Sequence, residues 1–330
     1  MRIGVVGAGA IGSYYGAKLA HGGNDVHFLI RGDLSGLQRT GIHVRGKGED
    51  FHVATVNCYN STEEIGPCDL VLVAVKTTSN PDLVGLLSPL LHAGTMLLTL
   101  QNGLGNEEFL AEHFGAERVM GGLCFICLTR NTRSEIERYD HGHVVIGEHG
   151  RAPGERIRAI AALFSACGIE CNVAQDLALE HWRKLVWNIP FNGLSILAGS
   201  INTEAILADK ALHRSALGLM HEIIEAANKL GHLLNNGDAA EQIRRTEMMG
   251  AYTPSTLLDW QAGKPLEIEA IWGEPLRRAA AAGAKTPRLE IVYSLLRHLN
   301  ERRQHIGPSN VLISCPEDPT ALTGQVTRSQ

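Results

Sequence analysis

Gly7-Ala8-Gly9-Ala10-Ile11-Gly12 is spaced to bind phosphate. Gly7 permits a tight turn, Gly9 lets the backbone approach a pyrophosphate, and Gly12 lets a helix pack closely on a strand. Free N–H groups at the helix start then hold phosphate oxygens. The pattern follows the apolar run Arg2 to Val6 and opens an amphipathic segment, the context that makes it a dinucleotide turn. NAD-binding turns place an acidic residue at the end of the second strand, on the adenosine ribose. Arg31 stands there instead, with Asp33 two residues on. A guanidinium suits a 2′-phosphate by bidentate, charge-assisted bonding, so the expected cofactor is NADP(H). The alternative is that Arg31 stacks on adenine or points into solvent, which leaves the cofactor open.

A second set of chemical residues lies at Lys184, Asn188 and Asn192, which recur every four positions. On a helix they line one face. Leu185, Val186, Ile189 and Phe191 between them are apolar, so the helix is expected to be largely buried with its polar stripe facing a partner or a cavity. A solvated stripe is the alternative. Pro190 removes one helical hydrogen bond and predicts a kink.

These residues need two frames. The chain has 330 residues, 44% of them hydrophobic, enough for two domains with real cores. A net charge of −5, with scattered lysines and arginines, removes the basis for sequence-independent nucleic-acid binding and points to a small-molecule ligand. No apolar run reaches the roughly 20 residues that span a bilayer, and no charged leader precedes the first strand, so a cytoplasmic protein is expected. Seven cysteines, an odd number, fit reduced thiols. Cys124 and Cys127 lack a well-spaced second ligand pair, and the histidines show no HExxH pairing, so no metal is assigned.

The predicted fold class is α/β: an N-terminal Rossmann-type parallel-sheet domain with an all-α C-terminal domain. Arg2 to Val6, Val26 to Ile30, Leu70 to Val75 and Met96 to Leu100 read as buried strands, and Phe51 to Val56 as an edge strand. Ile11, Tyr15 and Leu19 give the first crossover helix its apolar stripe. Glu135 to Tyr139 and His143 to Ile146, separated by Asp140-His141-Gly142, predict an antiparallel extension of the sheet. A helix from Glu155 to Cys167 and a strand from Ile169 to Val173 follow, and every later periodic segment is helical. Those helices are expected at Leu177 to Leu197, Ala208 to Leu230, Asp238 to Met249 with Asp238 as N-cap, Glu267 to Ala282, and Pro287 to Arg303. The expected division is 1–175, 176–303 and an irregular tail, 304–330.

Five motifs occur in one order: the glycine turn, Ala74-Val75-Lys76-Thr77, Gln101-Asn102-Gly103, the Lys184/Asn188/Asn192 helix, and Ser255 to Glu269. With them the chain resembles the ketopantoate reductase (2-dehydropantoate 2-reductase) family from Met1 to about Arg303. The resemblance implies NADPH-dependent reduction of 2-dehydropantoate to pantoate, as in pantothenate and coenzyme A biosynthesis, in a cleft between the two halves. It implies Lys184 as proton donor and Glu267 as the glutamate that closes over the cofactor ribose and the reacting groups. It implies substrate contacts from Asn102, Asn188, Asn192, Asn202 and Ser255, and cofactor contacts from Gly7 to Gly12, Arg31, Lys76, Asn102 and Glu267.

Simpler readings stand beside these: Ser255 as an N-cap for the helix at Thr256, Glu267 as a first-turn acid, Asn102-Gly103 as a turn after a strand. The stretch Asp259-Trp260-Gln261-Ala262-Gly263-Lys264 is poorer in charge than the family's, and Trp260 is a candidate for reshaping the pocket toward another 2-keto acid. A reductase of a different 2-keto acid and a non-catalytic NADP(H)-sensing protein are the competing functions. A homodimer is compatible with either.

Overall fold

The computed structural model describes residues 1–46 and 48–306. Among the described residues twelve strands form two sheets. They are β1 (Arg2–Val6), β2 (Asp25–Leu29), β3 (Ile42–Gly46), β4 (Glu49–Val53), β5 (Asn57–Tyr59), β6 (Leu70–Val73), β7 (Met96–Thr99), β8 (Val119–Phe125), β9 (Leu128–Arg130), β10 (Glu135–Arg138), β11 (His143–Glu148) and β12 (Glu170–Val173). The main sheet has the order β12-β11-β8-β7-β6-β1-β2-β5, with β11 antiparallel to β8 and the other pairs parallel. The chain runs outward from β1 in one direction through β2 and in the other through β6. That reversal creates a crevice at the carboxyl ends of β1 and β6, where open α/β sheets bind ligands.

Helices α1 (Ala10–His21), α2 (Ser35–Thr40), α3 (Thr62–Ile65), α4 (Asn80–Leu87), α5 (Asn106–Phe114) and α6 (Glu155–Ala166) accompany the sheet. Leu70 to Val73 are wholly buried because helices cover both faces of this central strand. Seven further helices follow: α7 (Leu177–Leu197), α8 (Thr203–Ala208), α9 (Lys210–Lys229), α10 (Asn236–Met249), α11 (Ser255–Gln261), α12 (Glu274–Ala281) and α13 (Pro287–Ile306). They share a core of their own around Trp182, Phe191 and Trp272.

The departures from expectation have local causes. The expected antiparallel extension of the main sheet is present as β11 on β8, but Glu135–Arg138 and His143–Glu148 do not pair with each other. β10 joins a small sheet, β4-β3-β10-β9, and β11 joins the main one. The Phe51 segment is an edge strand of that small sheet, so its wet face has nothing to do with the nucleotide-binding sheet. The segment expected to run from Ala208 breaks into α8 and α9 at Asp209, whose carboxylate accepts from the N–H groups of Ala211 and Leu212 at 2.7 and 2.9 Å. Asp238 is not an N-cap. Asn235 caps α10, and Asp238 completes a capping box by accepting from the Asn235 N–H at 2.8 Å. The segment expected to be helical from Glu267 opens with a π-turn, Glu269–Gly273, before α12. Pro275 has no N–H to give the Ile271 carbonyl, and the Glu274 N–H reaches back five residues to Glu269 instead. Pro190 lies inside an unbroken α7. The expected tail begins inside α13, which runs to Ile306, and its remainder lies outside the described residues.

The halves meet where the loop after β7 touches the π-turn. Leu104 N–H donates to the Ala270 carbonyl at 2.9 Å. Gly103 has φ +86°, and a Cβ there would run into the backbone and side chain of Ala270. Gly103→Ala is therefore expected to destabilise the protein by on the order of 3 kcal/mol, from left-handed strain and overpacking, measured by equilibrium denaturation.

Candidate active site

The glycine turn sits at the crevice. Gly7 has φ +107°, and a Cβ there would collide with the backbone of Ala74 and Val75 on the neighbouring strand's exit loop. A Cβ on Gly12 would meet the Gly7 carbonyl, whereas one on Gly9 would meet nothing within 4 Å. Gly7 and Gly12 are thus required by packing, and Gly9 leaves open space beside its backbone. That is the cradle a dinucleotide pyrophosphate fills, so these residues fit the group. Ala8, Ala10 and Ile11 are half-buried around it, and Arg31 is exposed just beyond β2. Asp33 does not replace the absent acid: its Oδ1 accepts from Ser35 N–H at 2.9 Å and from Ser35 Oγ at 2.7 Å.

From the helical side, α7 starts at Asp176, whose side chain caps it through the Leu179 N–H at 3.0 Å. Two turns on, Lys184 Nζ donates to Asn102 Oδ1 at 2.8 Å and to the Cys124 carbonyl at 2.9 Å. It also lies 5.2 Å from the Phe125 ring centroid. Burial pushes the Lys184 pKa below the ordinary lysine range, against the upward pull of Cys124 and Glu267. No carboxylate among the described residues comes within 4.0 Å of this ammonium.

Asn102 is itself held by a chain of amides. Asn106 Nδ2 donates to its carbonyl at 3.1 Å, Asn80 Nδ2 to Asn106 Oδ1 at 3.1 Å, and Gln101 Nε2 to Asn80 Oδ1 at 2.7 Å. A narrow crevice is lined by Asn102, Gly103, His181, Lys184 and Asn188.

The structure brings together Lys184, Asn102 and Asn188, and separately Lys76 and Glu267. Lys76 Nζ donates to Glu267 Oε2 at 3.0 Å and pairs with Asp259 Oδ2 at 2.7 Å; Thr77 N–H donates to Glu267 Oε1 at 2.9 Å. Desolvation acts downward on the Lys76 pKa, but the Glu267 and Asp259 carboxylates outweigh it and hold the lysine well above its usual range. Glu267 is buried and precedes the π-turn.

Three other residues are placed differently from expectation. Asn192 is buried one turn beyond Asn188, outside the crevice lining, with Oδ1 lacking a partner. Asn202 caps α8 by accepting from Ala205 N–H at 2.9 Å. Ser255 is no N-cap either: Pro254 holds that position, and Ser255 stands exposed in the first turn of α11. Trp260 is occupied by Arg303, whose guanidinium lies 4.2 Å from the ring centroid and donates to the Trp260 carbonyl.

Two site residues escape the sequence reading. His181 lies three residues before Lys184 on the same helical face, a spacing that carries a signal. Its partner Glu107, 74 positions away, carries none: Oε1 lies 3.0 Å from His181 Nε2, and both side chains are buried.

Two family models match the chain. Residues 3–151 match the family described as Ketopantoate reductase PanE/ApbA, and residues 176–300 match Ketopantoate reductase PanE/ApbA C terminal. The chain belongs to the ketopantoate reductase family. It is 36% identical to a 2-dehydropantoate 2-reductase of Nostoc sp., over 91% of this chain and 95% of that one. The ketopantoate reductase fold extends to solved structures. The 2-dehydropantoate 2-reductase from Geobacter metallireducens GS-15 superposes with a TM-score of 0.88 at 43% identity, covering 90% of this chain and 99% of that one. A D-mandelate dehydrogenase solved with NADH and anilino(oxo)acetate shares the fold, with a TM-score of 0.84 at 19% identity over 92% and 99% of the two chains. Among the described residues no helix is long and apolar enough to cross a membrane.

The Glu107 carboxyl is fully enclosed, which acts upward on its pKa, but His181 outweighs burial and leaves it below the usual carboxylate range. A carboxylate depressed in the folded state contributes stability above its unfolded pKa of about 4.3 and loses it as pH falls through the lower folded value. Glu107→Gln is expected to cost about 1–3 kcal/mol at neutral pH, because the amide keeps an acceptor for His181 but loses the charge. It should also remove part of the wild type's acid decline below about pH 4.3, both read by denaturant titration across pH.

Proposed function

We propose that this chain is an NADPH-dependent oxidoreductase that reduces the 2-keto group of 2-dehydropantoate to the hydroxyl of pantoate. The carrying observation is the Lys184 ammonium, fixed between Asn102 Oδ1 and the Cys124 carbonyl. An ammonium has three N–H groups. Two are held by the protein, and the third is available to the substrate's keto oxygen.

NADPH, when bound at the glycine turn, supplies the hydride to C2. The carbonyl oxygen then gathers negative charge, and Lys184 stabilises it and delivers the proton. A lowered pKa makes Lys184 a stronger acid than a free lysine. Asn102, oriented by Asn106, and Asn188 are assigned to the substrate's oxygens. Ser255, exposed in the first turn of α11, is assigned to its carboxylate. Asn192 Oδ1 is buried outside the crevice lining, and we give it no direct substrate contact. Asn202 is committed to its helix cap, and we give it no substrate role. Glu267, bridged to Lys76 and Thr77, is assigned to the cofactor ribose side of the cleft. Arg31 supports NADP(H) over NAD(H), because no acid stands at the end of β2 and a guanidinium complements a 2′-phosphate.

The direct test follows NADPH oxidation on addition of ketopantoate, with NADH and a panel of other 2-keto acids alongside. Ketopantoate with NADPH is expected to give the highest kcat/KM. Binding of NADPH without turnover of any acid would leave a sensing protein instead. Lys184→Ala is expected to lower kcat by ~10²- to 10⁴-fold while retaining NADPH binding in a fluorescence titration. Because Lys184 must carry its proton, kcat should also fall on the alkaline side with an apparent pKa below the ~10.4 of free lysine.

A further inference from the structure

The β9–β10 hairpin of the small sheet lies against the nucleotide crevice. Arg130, the last residue of β9, donates from Nη1 to the Ala8 carbonyl inside the glycine turn. Arg133, in the hairpin turn, donates from Nη1 to the Asp33 carbonyl at 2.8 Å, and its Nη2 stands 2.9 Å from where a Cβ on Gly32 would be. The two guanidiniums therefore reach from one hairpin to the loops after β1 and after β2. In a doubly wound sheet those loops flank the adenosine half of a dinucleotide.

The charge around them is uncompensated. No carboxylate among the described residues lies within 4.0 Å of Arg31, Arg130 or Arg133. The nearest candidate by sequence, Asp33, turns its carboxylate to Ser35. Burial, and secondly the neighbouring charge of Arg133, act against the protonated form of Arg130. Two like charges held close by main-chain carbonyls, with most of their N–H groups unspent, make a site for a multiply charged anion.

We propose that this hairpin is a phosphate clamp on the cofactor. Arg133 shares the 2′-phosphate with Arg31, and Arg130, anchored on the glycine turn, faces the pyrophosphate. The clamp rests on the NADP(H) reading above, and it assigns coenzyme choice to the small sheet as well as to the end of β2. A 2′-phosphate is doubly charged, so one arginine satisfies it in part and two satisfy it by forked contacts.

The test is direct binding, by calorimetry, of NADPH and NADH, and of the fragments 2′,5′-ADP and ADP, to the wild type, Arg133→Ala, Arg133→Lys and Arg130→Ala. Arg133→Ala is expected to weaken NADPH and 2′,5′-ADP by about 10- to 100-fold, the usual worth of a hydrogen bond to a charged group, and to leave NADH and ADP within about twofold. Arg133→Lys should recover part of the loss, since it keeps the charge without the fork. Arg130→Ala should weaken all four ligands by similar factors. An Arg133→Ala protein that keeps the wild-type ratio of NADPH to NADH affinity, in a wild type that prefers NADPH, overturns the clamp and leaves the cofactor reading standing. A wild type without that preference overturns the cofactor reading and the clamp with it.

Discussion

The rest of the site is arranged around a half-buried ammonium held by two neutral oxygens. Taking the Lys184 charge out of water costs several kcal/mol unless hydrogen bonds replace the lost hydration, and here they come from Asn102 Oδ1 and the Cys124 carbonyl. The three partners belong to three elements: α7, the loop after β7, and β8. None can shift far without leaving the charge unsolvated. The amide chain through Asn106, Asn80 and Gln101 fixes one acceptor, and the ladder of β8 with β7 and β11 fixes the other. Trp272 pins the far half of α7 by donating from Nε1 to the Ile189 carbonyl at 3.1 Å.

A second lysine at the same seam shows what the first avoids. Lys76 sits between two carboxylates, which hold its proton more firmly than water does. Such a lysine is a poor acid and a good strut: it ties the loop after β6 to Glu267 and Asp259 of the helical half. Lys184 has only neutral partners and a pKa moved the other way. The charge of their neighbours thereby moves the pKa of two lysines at one seam in opposite directions.

Much of this was legible in the sequence, and the unreadable part has physical reasons. Parallel strands buried on both faces are continuous apolar runs, and β1, β2, β6 and β7 fall within a residue or two of where those runs lie. The glycine turn and the Lys184 stripe are local patterns that a short window contains. The small sheet was missed as a separate unit because its strands come from residues 42–53 and 128–138, and pairing across that gap leaves no periodic trace. Arg130 and Glu107 belong to the same class: their partners Ala8 and His181 are 122 and 74 positions away. The roles of single polar residues were harder still. Asn202 and Asn192 are the same amide in the sequence, yet one caps a helix and the other keeps a buried oxygen unpartnered.

The choice of amides around Lys184 follows from the charge that a 2-keto acid would bring. A carboxylate at position 102 would solvate the ammonium better, but it would raise the lysine's pKa toward that of Lys76 and repel an anionic substrate. Asparagine supplies an oxygen of fixed direction at no net charge. Glu107, behind the crevice, is covered by the His181 ring, whose Nε2 donates to its Oε1 at 3.0 Å. Among the described residues no carboxylate lies within 4.0 Å of the Lys184 ammonium, so in the proposed reaction an incoming carboxylate and a developing alkoxide would both be drawn to that nitrogen. On the proposed reading, the neutral amides would direct them apart, the alkoxide toward the N–H that no protein group holds and the carboxylate toward the rim.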